Sequence, residues 1–267
     1  MAQDYREKAY PVCERLRSIA IEILGQADLV VTQQGMVHPN ILALALLSRT
    51  LSHFKALILL TQQRMVVEAR VLSRCCFENL FIVGGLHAEG IAFAERMIED
   101  DRAGRKGRIR FASENESIYQ ALSPEMQVAV KQRHEEFKAA PRVGFLKQKD
   151  ASDAGAFKDM YVVYSQFSGD AAHPTIMALS RHWGPAGERT AYFDVEPEPR
   201  EDELDETLHL SCVALLSMLV VVNEMIDYTE AGKKLPEINQ ELKTLQAERW
   251  GVESIEEGMD IRTEGSL

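Results

Sequence analysis

Apolar residues recur every three or four positions along most of the chain, which is the spacing of one face of an α-helix. The first repeat starts near Asp4, reaches about Thr32 and predicts a helix of about seven turns. The same spacing predicts further helices at about residues 39–63, 65–86, 89–102, 123–138, 154–172 and 201–230, and Pro236 opens a last polar helix.

The helices predicted at 39–63 and 65–86 are apolar on most faces, so we expect them in the middle of a bundle. Gly84 and Gly85 are expected to end the second one, because glycine is common just after a helix. Strand patterns are absent apart from a candidate short hairpin near residues 184–196. The pattern predicts an all-α fold, a single bundle of about seven to nine helices formed by residues 1–267 as one domain, with a loosely held tail from about residue 251.

Composition narrows the class of protein. Apolar residues make up 46% of the 267 residues, which is enough for a sizeable core, and the net charge is −11. Because nucleic-acid binding depends mainly on basic residues that neutralise phosphates, this charge argues against a general nucleic-acid coat, although a local basic patch remains compatible with it. The short run GRKGRIR at residues 104–110 is typical of a solvated helix face or loop.

The expected location is the cytoplasm. The N-terminal segment is charged and lacks the apolar stretch of a signal peptide. The apolar run at residues 41–60 is interrupted by charges, and the run at residues 208–222 is too short to span a membrane. We therefore interpret both as core helices and expect no membrane association. The four cysteines show no C-x-x-C spacing, which suits a reducing compartment and predicts no metal site. No phosphate-binding or nucleophile motif is present, and no cofactor is predicted.

Charged residues in the third predicted helix are the first candidate site. Arg70, Arg74 and Glu78 are spaced four residues apart, so they follow one helix face, yet their neighbours are strongly apolar. Buried charges are costly unless they are paired. Two interpretations stay open: an interhelical salt bridge that fixes the packing, or the lining of a pocket.

The segment MYVVYSQFSGDAAHPT, residues 160–175, holds the second candidate. Ser168, Asp170 and His173 cluster at the end of a predicted helix that also carries Tyr164. A histidine beside a carboxylate and a hydroxyl can support acid–base chemistry. The same residue types are ordinary at helix ends, where they cap and form turns.

These two segments resemble a family. The pattern R-C-C-F-E (Arg74, Glu78) followed by Y-S-Q-F-S-G-D-A-A-H-P (Tyr164, Ser168, His173) is similar to a group of bacterial all-helical proteins of unestablished activity, over roughly residues 45–230. That group is distantly similar to the HEPN superfamily of helical bundles, many of which are RNases that act at a dimer interface. The HEPN signature is an arginine followed a few residues later by a histidine, usually near a helix end.

The chain departs from that HEPN signature. Arg49 and His53 are one residue too close together, and Ser168 occupies the position where His173 would need its arginine. RNase activity would therefore require Arg74 to reach His173 through space.

Three hypotheses follow for the function, and whether the protein is an enzyme stays open. The first is a binding or regulatory protein, with phage defence or stress response as candidate roles, whose pocket is lined by Arg74, Glu78, Tyr164, Ser168 and His173. It would hold a small anionic or nucleotide-like ligand. The second is a HEPN-like RNase, a homodimer that uses His173 as the acid or base and Arg74 to stabilise charge. The third is a scaffold without a catalytic site, in which the polar residues fix the register of the helices.

Overall fold

The computed structural model describes residues 2–28, 35–139, 144–183 and 193–251. These residues form eleven α-helices, numbered α1 to α11 in chain order: Ala2–Gln26, Pro39–Gln62, Val66–Glu89, Ile91–Glu114, Glu116–Ala121, Pro124–Ala139, Gln148–Ala154, Tyr161–Phe167, Ile176–Ser180, Glu201–Met225 and Leu235–Trp250. In the described part of the chain the strand-like pairing is one isolated antiparallel bridge between Trp183 and Phe193. The all-α prediction is confirmed.

The predicted count of seven to nine helices was too low. No helix was predicted between residues 138 and 154, where all but the last residue of α7 lies, and the helix expected at 154–172 is divided. Gly155 ends α7, and a 3₁₀ turn at Lys158–Met160 precedes α8. Most of the hairpin expected near 184–196 and the tail from 252 lie outside the described residues. The single-domain assignment stays a prediction.

Helix α3 lies at the centre of the fold, packed against α2 on one side and α10 on another. Its buried face carries large apolar side chains, including Phe77, Leu80 and Phe81, all at most 1% exposed. Helix α1 covers α10, and α11 packs on both α1 and α10. The expected central position of the two apolar helices, α2 and α3, matches this arrangement.

Gly84 and Gly85 do not end α3, as the sequence suggested, but lie inside it. A Cβ atom on Gly85 would lie 2.1 Å from Phe93 Cε2, and one on Gly84 would lie 2.8 Å from Phe157 Cδ2. These glycines therefore allow α4 and the turn after α7 to approach the α3 backbone. The helix ends instead at Gly90, whose φ of +58° favours glycine.

The α8 segment ends in a π-helical turn at Ser168–Ala172. His173 follows in an extended conformation, with φ −122° and ψ 140°, because Pro174 disfavours the helical conformation of the residue before it. Turns of π-helix are often found at functional sites, since the extra residue redirects side chains. Here the turn carries Asp170, whose carboxylate pairs with Arg70 of α3 and with Arg181, just beyond α9.

Helices α2 and α10 are both long and apolar enough to cross a membrane by length and composition, as are many core helices of soluble proteins. In this fold 61% of the most apolar window of α10 and 44% of that of α2 are buried. The cytoplasmic location stays a prediction.

Candidate functional site

A hydrogen bond between Asn79 and Thr50 sets the register of α3 against α2. Asn79 Nδ2 donates to Thr50 Oγ1 over 2.9 Å, and both side chains are buried. Their sequence neighbours therefore share one polar face, to which α2 contributes Arg49 and His53, and α3 contributes Arg74 and Glu78. We call this face, together with Tyr164 of α8, the α2–α3–α8 face.

Arg74, Glu78 and Tyr164 form the centre of the α2–α3–α8 face. Arg74 Nη1 lies 2.5 Å from Glu78 Oε1, one turn along α3, and the Tyr164 hydroxyl donates to the same oxygen over 3.3 Å. The arginine and glutamate side chains are 23% and 24% exposed. The Nε atom of Arg74 is buried and has no hydrogen-bond partner in the described part of the protein. An unpaired buried donor is costly, so Arg74 would be stabilised by a shift of its side chain that brought this nitrogen to an acceptor.

Arg49 and His53 extend the face onto α2. Arg49 Nε donates to His53 Nε2 over 3.2 Å, and no carboxylate pairs with Arg49 among the described residues. Burial and the Arg49 charge lower the pKa of His53, and the nearby Glu78 carboxylate partly opposes them. His53 is therefore neutral at pH 7, with Nε2 as the acceptor. Sequence analysis noticed this pair only as an imperfect HEPN spacing.

The pKa shifts of Cys75 and Tyr164 show how compact the α2–α3–α8 face is. Burial and Glu78 raise the pKa of the Cys75 thiol, while Arg74 and Arg49 both act to lower it, so all three charges lie close to one sulfur. Burial, and then Glu78, raise the pKa of Tyr164, and Arg74 opposes them. The two arginines and one carboxylate leave a local charge of +1, against −11 for the whole chain.

Aromatic rings border the α2–α3–α8 face on the side of α8. The rings of Tyr161 and Tyr164 lie 5.4 Å apart, and Phe81 meets the Tyr164 ring edge-on at 5.7 Å. Lys149 Nζ lies 5.7 Å from the centre of the Tyr161 ring. Both tyrosines are half-buried, so neither residue is closed to solvent.

The other two predicted site residues lie apart from this group. Ser168 is buried, and no hydrogen bond joins its hydroxyl to Arg74, Glu78 or Tyr164. His173 is exposed, and its imidazole forms no hydrogen bond or ion pair with any described residue. The structure thus brings together Arg74, Glu78 and Tyr164 and adds Arg49 and His53, while His173 does not meet Arg74.

A second polar group, which we call the Arg70 network, joins α3, the π-helical turn, α9 and α10. Arg70 is 4% exposed and donates to Asp170 Oδ2 (2.5 Å), Glu206 Oε2 (2.9 Å) and Thr207 Oγ1 (3.1 Å). Arg181 donates through two nitrogens to each of Asp170 and Glu203, over 2.6–3.0 Å. Such paired geometry is the strongest form of charged hydrogen bond.

The pKa shifts of the network agree with its geometry. Burial acts to raise the pKa of Asp170 and of Glu203, but hydrogen bonds from Arg181 outweigh it, and both carboxyl pKa values are lowered. Arg70 therefore fulfils the interhelical salt-bridge interpretation of the sequence, whereas Arg74 forms its pair within one helix. Sequence analysis did not single out Arg181 or Glu203.

The Arg70 network borders a cavity of about 600 Å³. Ser165, Gln166, Met177, Asp202 and Trp250 are among the other lining residues. None of the five predicted site residues is among the described residues that line it. The pocket that the sequence placed at those five residues is therefore not this cavity.

The sequence was also compared with known proteins. Residues 40–190, more than half of the chain, match the family described as "Family of unknown function (DUF5677)". The chain belongs to this DUF5677 family. Neither the curated proteins nor the solved structures gave a match. The distant likeness to HEPN proteins stays a prediction.

The DUF5677 segment runs from α2 to just beyond α9, so it contains the whole α2–α3–α8 face. The Arg70 network, by contrast, takes Glu203 and Glu206 from α10, outside that segment. The α2–α3–α8 face is therefore the polar group that the DUF5677 segment carries in full.

Proposed function

We propose that the protein binds a small anionic, nucleotide-like ligand on the α2–α3–α8 face, as a binding or regulatory protein. Arg74 and Arg49 would hold the phosphate, Glu78 would orient Arg74, and the rings of Tyr161 and Tyr164 would stack against the base. The observation that carries the proposal is Arg49, which pairs with no carboxylate among the described residues and shares a locally positive face with Arg74 and a tyrosine pair.

The chemistry of the face supports an anion over a cation. An arginine is a good partner for phosphate because its planar group donates several parallel hydrogen bonds. Arg49 has no carboxylate partner among the described residues, so binding an anion does not require breaking an ion pair there. Aromatic rings are tolerant stacking surfaces for any base.

Isothermal titration of the full chain with inorganic phosphate and with nucleoside mono-, di- and triphosphates tests the proposal. We expect saturable binding by at least one nucleotide, and a loss of about tenfold or more in affinity for Arg74→Ala, because a hydrogen bond to a charged group is removed. Tyr164→Phe should bind nearly as well and Tyr164→Ala poorly, since the ring rather than the hydroxyl is required.

Arg96→Ala is the matched control. Arg96 is also a partly buried arginine paired with a glutamate, Glu89 at 2.5 Å, and it lies over the Phe93 ring at 4.6 Å. The Arg96→Ala substitution should leave nucleotide binding unchanged. If no nucleotide binds the wild type, or if Arg96→Ala weakens binding as much as Arg74→Ala, the proposal is wrong. Either result would support the scaffold hypothesis instead.

A second candidate function is metal-independent RNA cleavage, with His53 in place of His173. The specific observation in its favour is the bond from Arg49 to a neutral His53, a pairing of charge stabiliser and base. RNA cleavage that is lost in His53→Ala and kept in His173→Ala would support it. Cleavage that is lost only in His173→Ala would instead assign the acid or base role to His173, as the sequence suggested.

A further inference from the structure

The distal half of α4 and the two helices after it project from the core. Residues 104–138 contain no buried side chain among those described. Near the start of α4, by contrast, Phe93 and Ala94 are buried against the rest of the fold. The face of α4 that begins on the core therefore continues into solvent.

That continuing face has an unusual composition. Gly104, Gly107, Arg108 and Phe111 follow one another at i, i+3, i+4 and i+7, so they form one stripe of the helix. Phe111 is 63% exposed. A Cβ atom on Gly107 would meet nothing within 4 Å, and one on Gly104 would meet only the mobile end of Arg108, at 3.4 Å.

Packing within this fold therefore does not require a glycine at either position. A glycine inside an exposed helix costs about 1 kcal/mol relative to alanine. Glycine is also the residue that lets another molecule approach the backbone closely. A partner that lies directly on the helix backbone would explain both positions.

Basic residues are concentrated along the stripe, between the acidic residues 99–101 on one side and Glu114 on the other. From residue 102 to 113 there are five basic residues and no acidic one, in a chain whose net charge is −11. Arg105 pairs with Asp101 at 2.6 Å and Arg110 lies 3.9 Å from Glu114, but Arg102 and Arg108 form no ion pair within the described residues. The five residues span about 12 Å of helix, the length of three to four phosphates at about 3.4 Å each.

We propose that this stripe of α4 binds the sugar–phosphate backbone of a single-stranded nucleic acid, with Phe111 stacking on a base. A second copy of this chain would bring the same positive charges together, which disfavours self-association here. A membrane surface would need a continuous apolar face, whereas the stripe has one large apolar side chain and two glycines. The proposal uses none of the residues of the α2–α3–α8 face and does not rest on the function proposed for it.

Fluorescence anisotropy with labelled oligo(U) and oligo(dT) of about 20 nucleotides, longer than the site size of a typical single-strand groove, measures the binding. We expect binding at low salt that weakens as salt rises. In the double variant Arg102→Ala, Arg108→Ala, the slope of log affinity against log salt should become less negative by about 1.4, because two phosphate contacts are lost at about 0.7 each. Phe111→Ala should lose about tenfold in affinity.

The double variant Arg133→Ala, Lys138→Ala is the control for charge. Both residues are exposed on α6 and pair with Glu136 and Glu135, so the net charge changes equally on the same projecting helices. Its salt slope should stay that of the wild type. An equal change in slope for both double variants would overturn the proposal, as would binding to phosphatidylserine vesicles without binding to either oligonucleotide.

Substituting the glycines separates binding from folding. Gly104→Ala and Gly107→Ala should raise the melting temperature, since alanine favours a helix, and should weaken oligonucleotide binding by blocking the backbone. Higher stability with unchanged binding would contradict close approach to the helix. The absence of any oligonucleotide binding by the wild type at low salt would reject the proposal altogether.

Discussion

The Arg70 guanidinium on α3 and the Asp170 carboxylate on the π-helical turn lie 2.5 Å apart, from Nη1 to Oδ2. Asp170 also receives two hydrogen bonds from Arg181, beyond α9. One carboxylate thus holds a turn and a following short helix on the bundle, where few apolar contacts are available. Ile176 and Met177 of α9 are 69% and 77% exposed.

Asp170→Asn should destabilise the protein by about 3 kcal/mol, because removing one partner of a largely buried pair leaves two arginines undercompensated. Urea unfolding measures the change. The matched control is Asp153→Asn, whose ion pair with Lys149 is exposed at 2.8 Å and should be worth less than about 1 kcal/mol. Similar losses in the two variants would contradict a special role for Asp170.

Stability should fall between pH 6.5 and about 4 because of His209. This imidazole accepts from or donates to the Tyr5 hydroxyl at 3.1 Å, and burial lowers its pKa from 6.5 to about 4. In that window His209 is protonated in the unfolded chain but stays neutral in the folded protein. The free energy of unfolding therefore falls by up to about 1.4 kcal/mol for each pH unit by which the pH is lowered.

Across this pH window the free energy of unfolding should change less with pH for His209→Gln than for the wild type, whatever the stability of the variant at pH 7. The control is His173→Gln, which removes an exposed imidazole that has no partner among the described residues. A slope that survives His209→Gln would show that other groups cause the acid sensitivity.

Gly85→Ala should destabilise the protein by about 1–3 kcal/mol, because the new methyl group would overlap the Phe93 ring. Gly25→Ala is the control within another helix, where a Cβ meets nothing within 4 Å and should stabilise by up to about 1 kcal/mol. Thermal melting compares the two. Stabilisation by Gly85→Ala would mean that α4 shifts away from α3 without loss.

Cys75 should react first with iodoacetamide in the native protein. It is half-buried, whereas Cys13, Cys76 and Cys212 are at most 1% exposed. Cys13 and Cys212 lie 3.3 Å apart, and that hydrogen bond together with burial raises the pKa of Cys13, which keeps its thiol protonated. Mass spectrometry of alkylated peptides should find the other three modified only after urea unfolding, and early labelling of Cys13 would contradict the buried pair.

Much of the fold was visible in the sequence. The helical spacing of apolar residues predicted the all-α class and the central place of α2 and α3, because this pattern is local and is set by which face must leave water. The pattern placed the end of α3 wrongly at Gly84 and Gly85. A glycine that ends a helix and one that admits a neighbouring ring look the same until Phe93 and Phe157 are in place.

For the candidate site, the sequence by itself determined which residue types share a helix face and that so many charges in apolar helices need partners. It could not choose those partners. Arg70 and Arg74 are one turn apart, yet Arg70 reaches Asp170 on a distant segment and Arg74 pairs with Glu78 on its own helix. Only the tertiary structure left His173 in solvent and set Arg49 and His53 beside Glu78, because the packing of α2, α3 and α10 fixes which charges meet and which are desolvated.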